Sequence, residues 1–313
     1  MAIVGGGAAG VFAAIALAEE IHSRPVENRA SITIFEATGE PLEKVRISGG
    51  GRCNVTHQCF DPAELVKNYP RGHRELRGPF SRFQPRDTVT WFERHSVLLK
   101  AEPDGRMFPI SDNSQTVIDA LLRAARDLGI RLELHARVKA IHADDEATER
   151  FTVERHDGTR EGFDQILLAT GSSPQGYRLA QSLGHTIVPT VPSLFTFKVS
   201  DPRLSDLAGV SFEQVHLTMI ADNRRFEQSG PMLLTHWGLS GPAVLKLSAW
   251  AARELHDTRY LAQLVVNVAP PLTGEEIYDH LIGHKHAHGR RLVAGDSPSP
   301  LSRRYWGRMV GFA

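Results

Sequence analysis

Gly5-Gly6-Gly7-Ala8-Ala9-Gly10 follows the short apolar run Ala2-Ile3-Val4 and leads into Val11 to Ile21, a stretch rich in Ala, Leu and Glu. This order predicts a strand, a tight turn and a helix. Beyond the polar loop His22 to Arg29, Ser31-Ile32-Thr33-Ile34-Phe35-Glu36 carries β-branched residues in alternation and stops on an acid, as a second parallel strand would. One βαβ unit therefore opens the chain. In such a unit the first glycine (Gly5) allows the turn out of the strand, the second (Gly7) lets backbone come close to a pyrophosphate, and the third (Gly10) lets helix and strand pack tightly. The helix start then faces the phosphates. Glu36 would accept hydrogen bonds from ribose hydroxyls and repel a 2′-phosphate, which favours FAD or NAD over NADP. It lies 26 residues after Gly10, more than the roughly 20 usual in this fold, and the His22 to Arg29 loop takes up the excess.

Composition limits the partners. The chain has 313 residues, 41% of them hydrophobic, and 36 Lys plus Arg balance 36 Asp plus Glu. That is enough for two domains with real cores. It leaves no global field to hold nucleic acid or an anionic membrane, so we expect a small-molecule substrate and neither of those partners. No basic segment precedes the apolar N-terminus, and no apolar run is long enough to span a bilayer. With Cys53 and Cys59 as the only cysteines, a disulfide framework is unavailable, and a cytoplasmic location is the expectation. The oligomeric state is not readable from the sequence.

Further along, Arg82 to Lys100 and Ser114 to Leu128 read as helices. Leu132 to His135, Val138 to His142, Phe151 to Arg155 and Gly162 to Asp164 read as strands, with Asp157-Gly158 as a hairpin turn. Asp164 to Gly171 reads as a buried strand ending in small residues. After Pro189 the composition shifts to short strands broken by prolines, then a helix over Pro242 to His256, a strand over Leu261 to Val268, a helix over Gly274 to Ile282 and a linker-like stretch Asp296 to Pro300. Residues 1–190 thus form one expected domain and 191–313 a second, β-rich and helical one.

Three more clusters carry chemistry. Lys44-Val45-Arg46-Ile47-Ser48-Gly49-Gly50-Gly51-Arg52-Cys53-Asn54 sets three glycines among three cations. That composition makes an anion or flavin-edge cradle, the alternative being a solvated surface loop. Ala169-Thr170-Gly171 ends a strand at the sheet edge where open α/β folds bind ligands, or is simply a buried strand meeting a turn. Thr235-His236-Trp237-Gly238-Leu239-Ser240-Gly241-Pro242 is a turn into a helix, with Ser240 as the expected N-cap and Pro242 in the first turn. Helix capping and contact with a ligand are equally good readings of it. His236 is the best candidate acid or base, because its Gly- and Ser-bearing turn is expected to face the domain cleft. His284, His286 and His288 lack a Cys or acidic complement, so no metal site is expected.

These residues together resemble the YhiN-like (BaiN-type) flavoproteins, a family that includes aminoacetone oxidase. Its glycine start and its Lys-Val-x-Ile-Ser-Gly-Gly-Gly-Arg-Cys-Asn-Val-Thr segment match Gly5 to Gly10 and Lys44 to Thr56. The likeness continues through Asp104 to Pro109, Leu168 to Gly171, Leu183 to Ile187 and Thr235 to Pro242. It implies an α/β fold: a glutathione-reductase-type FAD-binding Rossmann domain interrupted by a β-barrel-like and helical insert. It also implies an FAD-dependent oxidoreductase, with NAD(P)H as a possible reductant. The cofactor-binding positions are then Gly5, Gly7, Ala8, Ala9, Gly10, Glu36, Lys44, Gly50, Gly51, Arg52, Cys53, Asn54, Val138, Thr170 and Gly171. Two features depart from the family. The linker after Gly171 is short, and the C-terminal segment that closes over the flavin in the family does not follow, so we expect an open isoalloxazine half of the site. Two alternatives follow: a non-catalytic nucleotide-binding protein, or a disulfide reductase using Cys53 and Cys59. Against the latter, five residues separate the two cysteines, where such reductases have four, and no acid/base His motif accompanies them.

Overall fold

In β1 (Ala2–Val4) every residue is buried, and so is every residue of β2 (Thr33–Phe35). Neither strand has a solvent face, as expected for the middle of a parallel sheet. A computed structural model describes residues 1–22, 30–143, 150–270, 272–295, 297 and 300–312. The described chain divides into two compact units, Met1–Val188 and Pro189–Ala313, two residues before the border read from composition.

In the first unit α1 (Ala8–His22) links β1 to β2, and α2 (Glu43–Ile47) runs into a 3-10 turn at Ser48–Gly51 and the short β3 (Thr56–His57). Then come α3 (Pro62–Leu65), α4 (His73–Arg82), α5 (Pro85–Arg94), β4 (Leu99–Ala101), β5 (Arg106–Pro109) and α6 (Ser114–Asp127). The helix expected over Arg82 to Lys100 is therefore wrong in extent. Pro85 suits a first helical position, and the Asp87 carboxylate accepts from the Gln84 N–H at 2.8 Å, so a new helix starts. Beyond His95 the left-handed Ser96 (φ 63°) ends it, and Leu99–Ala101 pairs with β5 instead.

The chain continues through β6 (Arg131–Glu133), the meander β7 (Val138–Ala143), β8 (Phe151–Arg155) and β9 (Arg160–Phe163), then β10 (Ile166–Leu168) and α7 (Pro174–Ser182). The parallel sheet has the order β10-β1-β2-β6. Its two-residue side-chain period splits the core. Ile3 and Ile34 join α1, α5 and α6 residues such as Val11, Ile15, Trp91 and Leu121 on one face. Ala2, Val4 and Phe35 meet Val138, Ile141, Val153 and Phe163 of the meander on the other. Because Val4 pairs with both Leu168 and Phe35, the strands end together at Gly5, Glu36 and Ala169. All three sequence clusters of this unit converge on that carboxyl edge. The expected loop at residues 23–29 lies outside the described residues.

The second unit is a five-stranded antiparallel sheet with helices. Its strands are β11 (Phe197–Lys198), β12 (Ser211–Ala221), β13 (Arg224–Thr235), β14 (Gly238–Ser240) and β15 (Gln263–Asn267), in the order β11-β14-β13-β12-β15. The long β12–β13 hairpin turns on Asp222 and Asn223, both left-handed, as a two-residue turn requires. The sequence reading caught parts of these strands and missed the turn, which lacks glycine. One expected helix is two, α8 (Pro242–Trp250) and α9 (Ala252–Asp257), parted at Ala251. Then follow α10 (Gly274–Ala287) and α11 (Arg303–Val310). Of the expected linker Asp296 to Pro300, residues 296, 298 and 299 lie outside the described residues. No helix among the described residues is long and apolar enough to cross a membrane.

One charged group ties the meander together. Glu154, 7% exposed, accepts from Lys139 Nζ at 2.6 Å and from Arg160 Nε and Nη2 at 3.0 and 2.7 Å. The Lys139 bond first and the Arg160 bond second hold its carboxyl at about 2, down from the ordinary 4.5. A carboxyl depressed on folding lends stability that is complete above the unfolded value and is lost as pH falls through the folded one. The melting temperature should therefore drop between pH 4.5 and about 2, and Glu154→Gln should flatten that drop while lowering the neutral-pH value. Melting curves of both proteins across this range check it.

Candidate functional site

At the carboxyl edge Gly5 leaves β1 with φ 113° and donates its N–H to Phe35 O at 2.9 Å. A Cβ there would lie 2.5 Å from Ala169 O, and a Cβ on Gly10 would lie 2.0 Å from Gly5 O. Both positions must be glycine for the protein's own packing. Gly7 differs: a Cβ there would meet nothing within 4 Å, and its φ is not left-handed. The protein itself does not need glycine at this point, whereas a group lying against the backbone would. The start of α1, at Ala8 and Ala9, has no acid in its first turn. Its free N–H groups and positive dipole end are therefore uncompensated, the condition for binding a phosphate.

Glu36 turns inward. One carboxylate oxygen accepts from Gly6 N at 2.8 Å, the other from Thr38 N at 2.9 Å and Thr38 Oγ1 at 3.0 Å. A carboxylate offers about four acceptor positions, so capacity for a further donor remains. Glu36, Gly5, Val138 and Thr170 line a cavity of about 220 Å³ together with Arg137 and Gln175. A second cavity, about 470 Å³, opens on the other side of the turn. Ala8, Ala9, Lys44, Cys53 and Asn54 border it, and Phe12, Phe83, Phe92, Val117 and Leu121 give it apolar walls. Val117 and Leu121 carry the helical spacing already legible in α6, but no motif marks Phe12 or Phe83 as site residues.

The Lys44 to Asn54 segment is not the triple cation cradle its composition implied. Arg46 donates to Gln115 at 2.6 Å and pairs with Glu40. Arg52 pairs with Glu102 at 2.6 Å and with Asp112 at 3.6 Å, its guanidinium 4.1 Å above the Phe108 ring. Local acids thus cancel two of the three cations. Lys44 has no acidic partner among the described residues; its Nζ donates to Ser172 Oγ at 3.3 Å and sits beside Gly171. Gly49, Gly50 and Gly51 are all left-handed, and nothing lies within 4 Å of a Cβ on Gly50 or Gly51. Thr170 points its side chain onto Gly176 at the start of α7.

Cys53 is buried and left-handed, and burial pushes its thiol above the ordinary range against a smaller opposing effect of Ser48. An attacking thiol needs the reverse, a stabilised thiolate. Cys59 is a free, half-buried thiol, and the disulfide-reductase alternative gains no support. His236 belongs to the second unit, exposed in the β13–β14 connection with its ring edge-on to Trp237 at 4.0 Å. The expected N-cap Ser240 is instead paired with Leu233 in β14, and Gly241 (φ 102°) caps α8. The left-handed Gly241 makes the turn that a serine side chain was expected to satisfy. No group of three or more metal-capable side chains gathers among the described residues.

The chain is similar over 96% of its length to the 3-dehydro-bile acid delta(4,6)-reductase of Clostridium scindens, at 27% identity, and spans 73% of that protein. It is 28% identical to the ribosomal RNA dihydrouridine synthase of Escherichia coli and 26% identical to that of Haemophilus influenzae. Each match takes in 79% of this chain and 60% of the relative. The HI0933-like protein Rossmann domain matches residues 1–228, and the HI0933-like protein barrel and H2TH domain matches residues 191–312. A parallel sheet with a glycine turn at its carboxyl edge and matches of this extent lead to one conclusion: the chain belongs to the HI0933-like, YhiN/BaiN-type family of FAD-dependent flavoprotein oxidoreductases.

Proposed function

We propose that this chain binds FAD across its glycine turn and reduces a carbon–carbon double bond conjugated to a carbonyl, with NAD(P)H as electron donor. The observation that carries the cofactor reading is the contrast between Gly10, which the protein needs, and Gly7, which it does not. Glu36 and Val138 would hold the adenosine end, the amides at Gly7 to Ala9 the pyrophosphate, and Lys44, Gly50, Gly51 and Asn54 would border the reactive end. FAD, when bound, supplies hydride transfer at N5 of its ring system. The protein contributes apolar walls from Phe12, Phe83 and Phe92, and the single uncancelled cation of Lys44, which favours negative charge nearby.

The substrate class rests on the relatives' names. A 3-dehydro-bile acid delta(4,6)-reductase and a dihydrouridine synthase both add hydrogen across a double bond in conjugation with a carbonyl. A conjugated small molecule suits the apolar walls of the larger cavity. His236 is the candidate proton donor, resting on its exposure alone.

Three measurements test these readings. Gly7→Ala should fold like the wild type but take up FAD at least about 10-fold more weakly, whereas Gly10→Ala should cost about 1–3 kcal/mol of stability by overpacking. Flavin fluorescence titration and denaturant unfolding separate the two. The protein supplied with FAD should show flavin absorbance, bleach anaerobically with NADH or NADPH, and regain colour with cyclohex-2-enone; failure to take up FAD overturns the cofactor reading, and uptake without reoxidation overturns only the substrate class. His236→Ala should keep FAD while kcat falls by about 100-fold, the lower end of acid–base contributions; unchanged turnover removes His236.

A further inference from the structure

A cavity of about 360 Å³ opens where α1, α5 and α6 meet, at the far end of α1 from the glycine turn. Glu19, which borders it, follows Ala8 by 11 residues on that helix, so about 16 Å of axis separate the cavity from the cofactor edge. It shares no lining residue with either cavity at the glycine turn. Its volume is within the range of small-molecule sites.

The lining divides by chemistry. Ala120, Ala124 and the C-cap residue Leu128 recur every four residues along α6, which sets them on one face as an apolar strip. Ala120 and Ala124 are 3% and 6% exposed, so the strip lies at the bottom of the cleft. Arg94, at the end of α5, and Arg123, on α6, border the cleft from two different helices. Both are exposed, and neither has an ion pair or side-chain hydrogen bond among the described residues. Two acids border it as well, and each is already engaged: Glu19 accepts from Trp91 Nε1 at 3.3 Å, and Asp127 pairs with Arg126 at 3.2 Å. His95 is tied to its own helix, with Nδ1 donating to Trp91 O at 2.8 Å and its ring stacked 3.8 Å from the Trp91 ring. The two guanidinium groups are thus left to a ligand.

We propose that this cleft binds a small dicarboxylate, one carboxylate on Arg94 and the other on Arg123, with its methylene carbons along Ala120, Ala124 and Leu128. A guanidinium is a planar fork that takes a carboxylate bidentately, and two forks on separate helices suit two anionic ends. A single phosphate calls for donors that converge on one centre, and it would leave the apolar strip uncovered. A long polyanion calls for an unbroken cationic track; here Glu19 and Asp127 interrupt the rim and repel a chain of charges running past. A membrane surface calls for an exposed apolar face, whereas this strip is recessed and open only to a small molecule. The site lies apart from the flavin edge, and the inference holds whether or not the reductase reading does.

The test is isothermal titration calorimetry with glutarate, succinate, butyrate and inorganic phosphate, on the full chain with and without added FAD. The wild type should bind one equivalent of glutarate or succinate, and butyrate, which has one carboxylate, at least about 10-fold more weakly, the share of one charge-assisted pair. Arg94→Gln and Arg123→Gln should each lose about 10-fold or more for the dicarboxylates. In each variant the preference for glutarate over butyrate should disappear, because one fork remains for one carboxylate; a merely structural arginine would not move that ratio. Matching melting temperatures show that folding is intact, and the comparison of glutarate with butyrate on the wild type decides even if a substitution disturbs the fold. The proposal is overturned if neither dicarboxylate binds at millimolar concentration, if butyrate or phosphate binds as tightly as glutarate, if the variants bind like the wild type, or if glutarate displaces bound FAD.

Discussion

The approach of α1 to β1 governs the rest of the first unit. With Gly10 so close to Gly5 O that a Cβ would sit at 2.0 Å, the helix starts directly over the end of the central strand. Its N-terminal amides then point past the sheet edge rather than into protein. The same closeness fixes Ala169 against the turn, because Gly5 is confined by Ala169 O and Gly10 by the Ala169 side chain. The strand end at Gly5, the helix start at Gly10 and the remote Ala169 are thus locked together by close contact. The two cavities that flank the turn follow from this: each is bounded on one side by a backbone that cannot move away.

Much of this was legible because it depends on short-range pattern. Glycine spacing, the run of apolar residues in β1 and the acid ending β2 each follow from local chemistry, and they place Glu36 and Ala169 at one edge as soon as the strands are assigned. What was not legible depends on partners remote in sequence. Arg52 looks like an anion ligand until Glu102, Asp112 and Phe108 fold against it. Phe83 looks like a loop residue until α4 and α5 bring it over Phe12. The break between those helices was itself marked by Gln84, Pro85 and Asp87, but capping signals inside a long polar stretch are easily read through.

The balanced charge of the chain shows a similar limit. A count of acids and bases describes the far field of a molecule and says nothing of how charge is segregated within it. Acids follow arginines closely around Arg46, Arg52 and Glu154, so those regions are neutral at short range. On α4 the pairing stops, and three arginines are left facing solvent. Screening in salt restricts their reach to about 10 Å, so they act on what touches the helix and not on what approaches from afar.

The run from Gly49 to Gly51 has one further effect. Three successive left-handed glycines, with a left-handed Cys53 beyond Arg52, give this stretch a surface of bare amide and carbonyl. Such a surface has no side chain to rotate aside or to reach out. A flat ring could lie along it at van der Waals distance, whereas a substituent rising from the ring plane would be turned away.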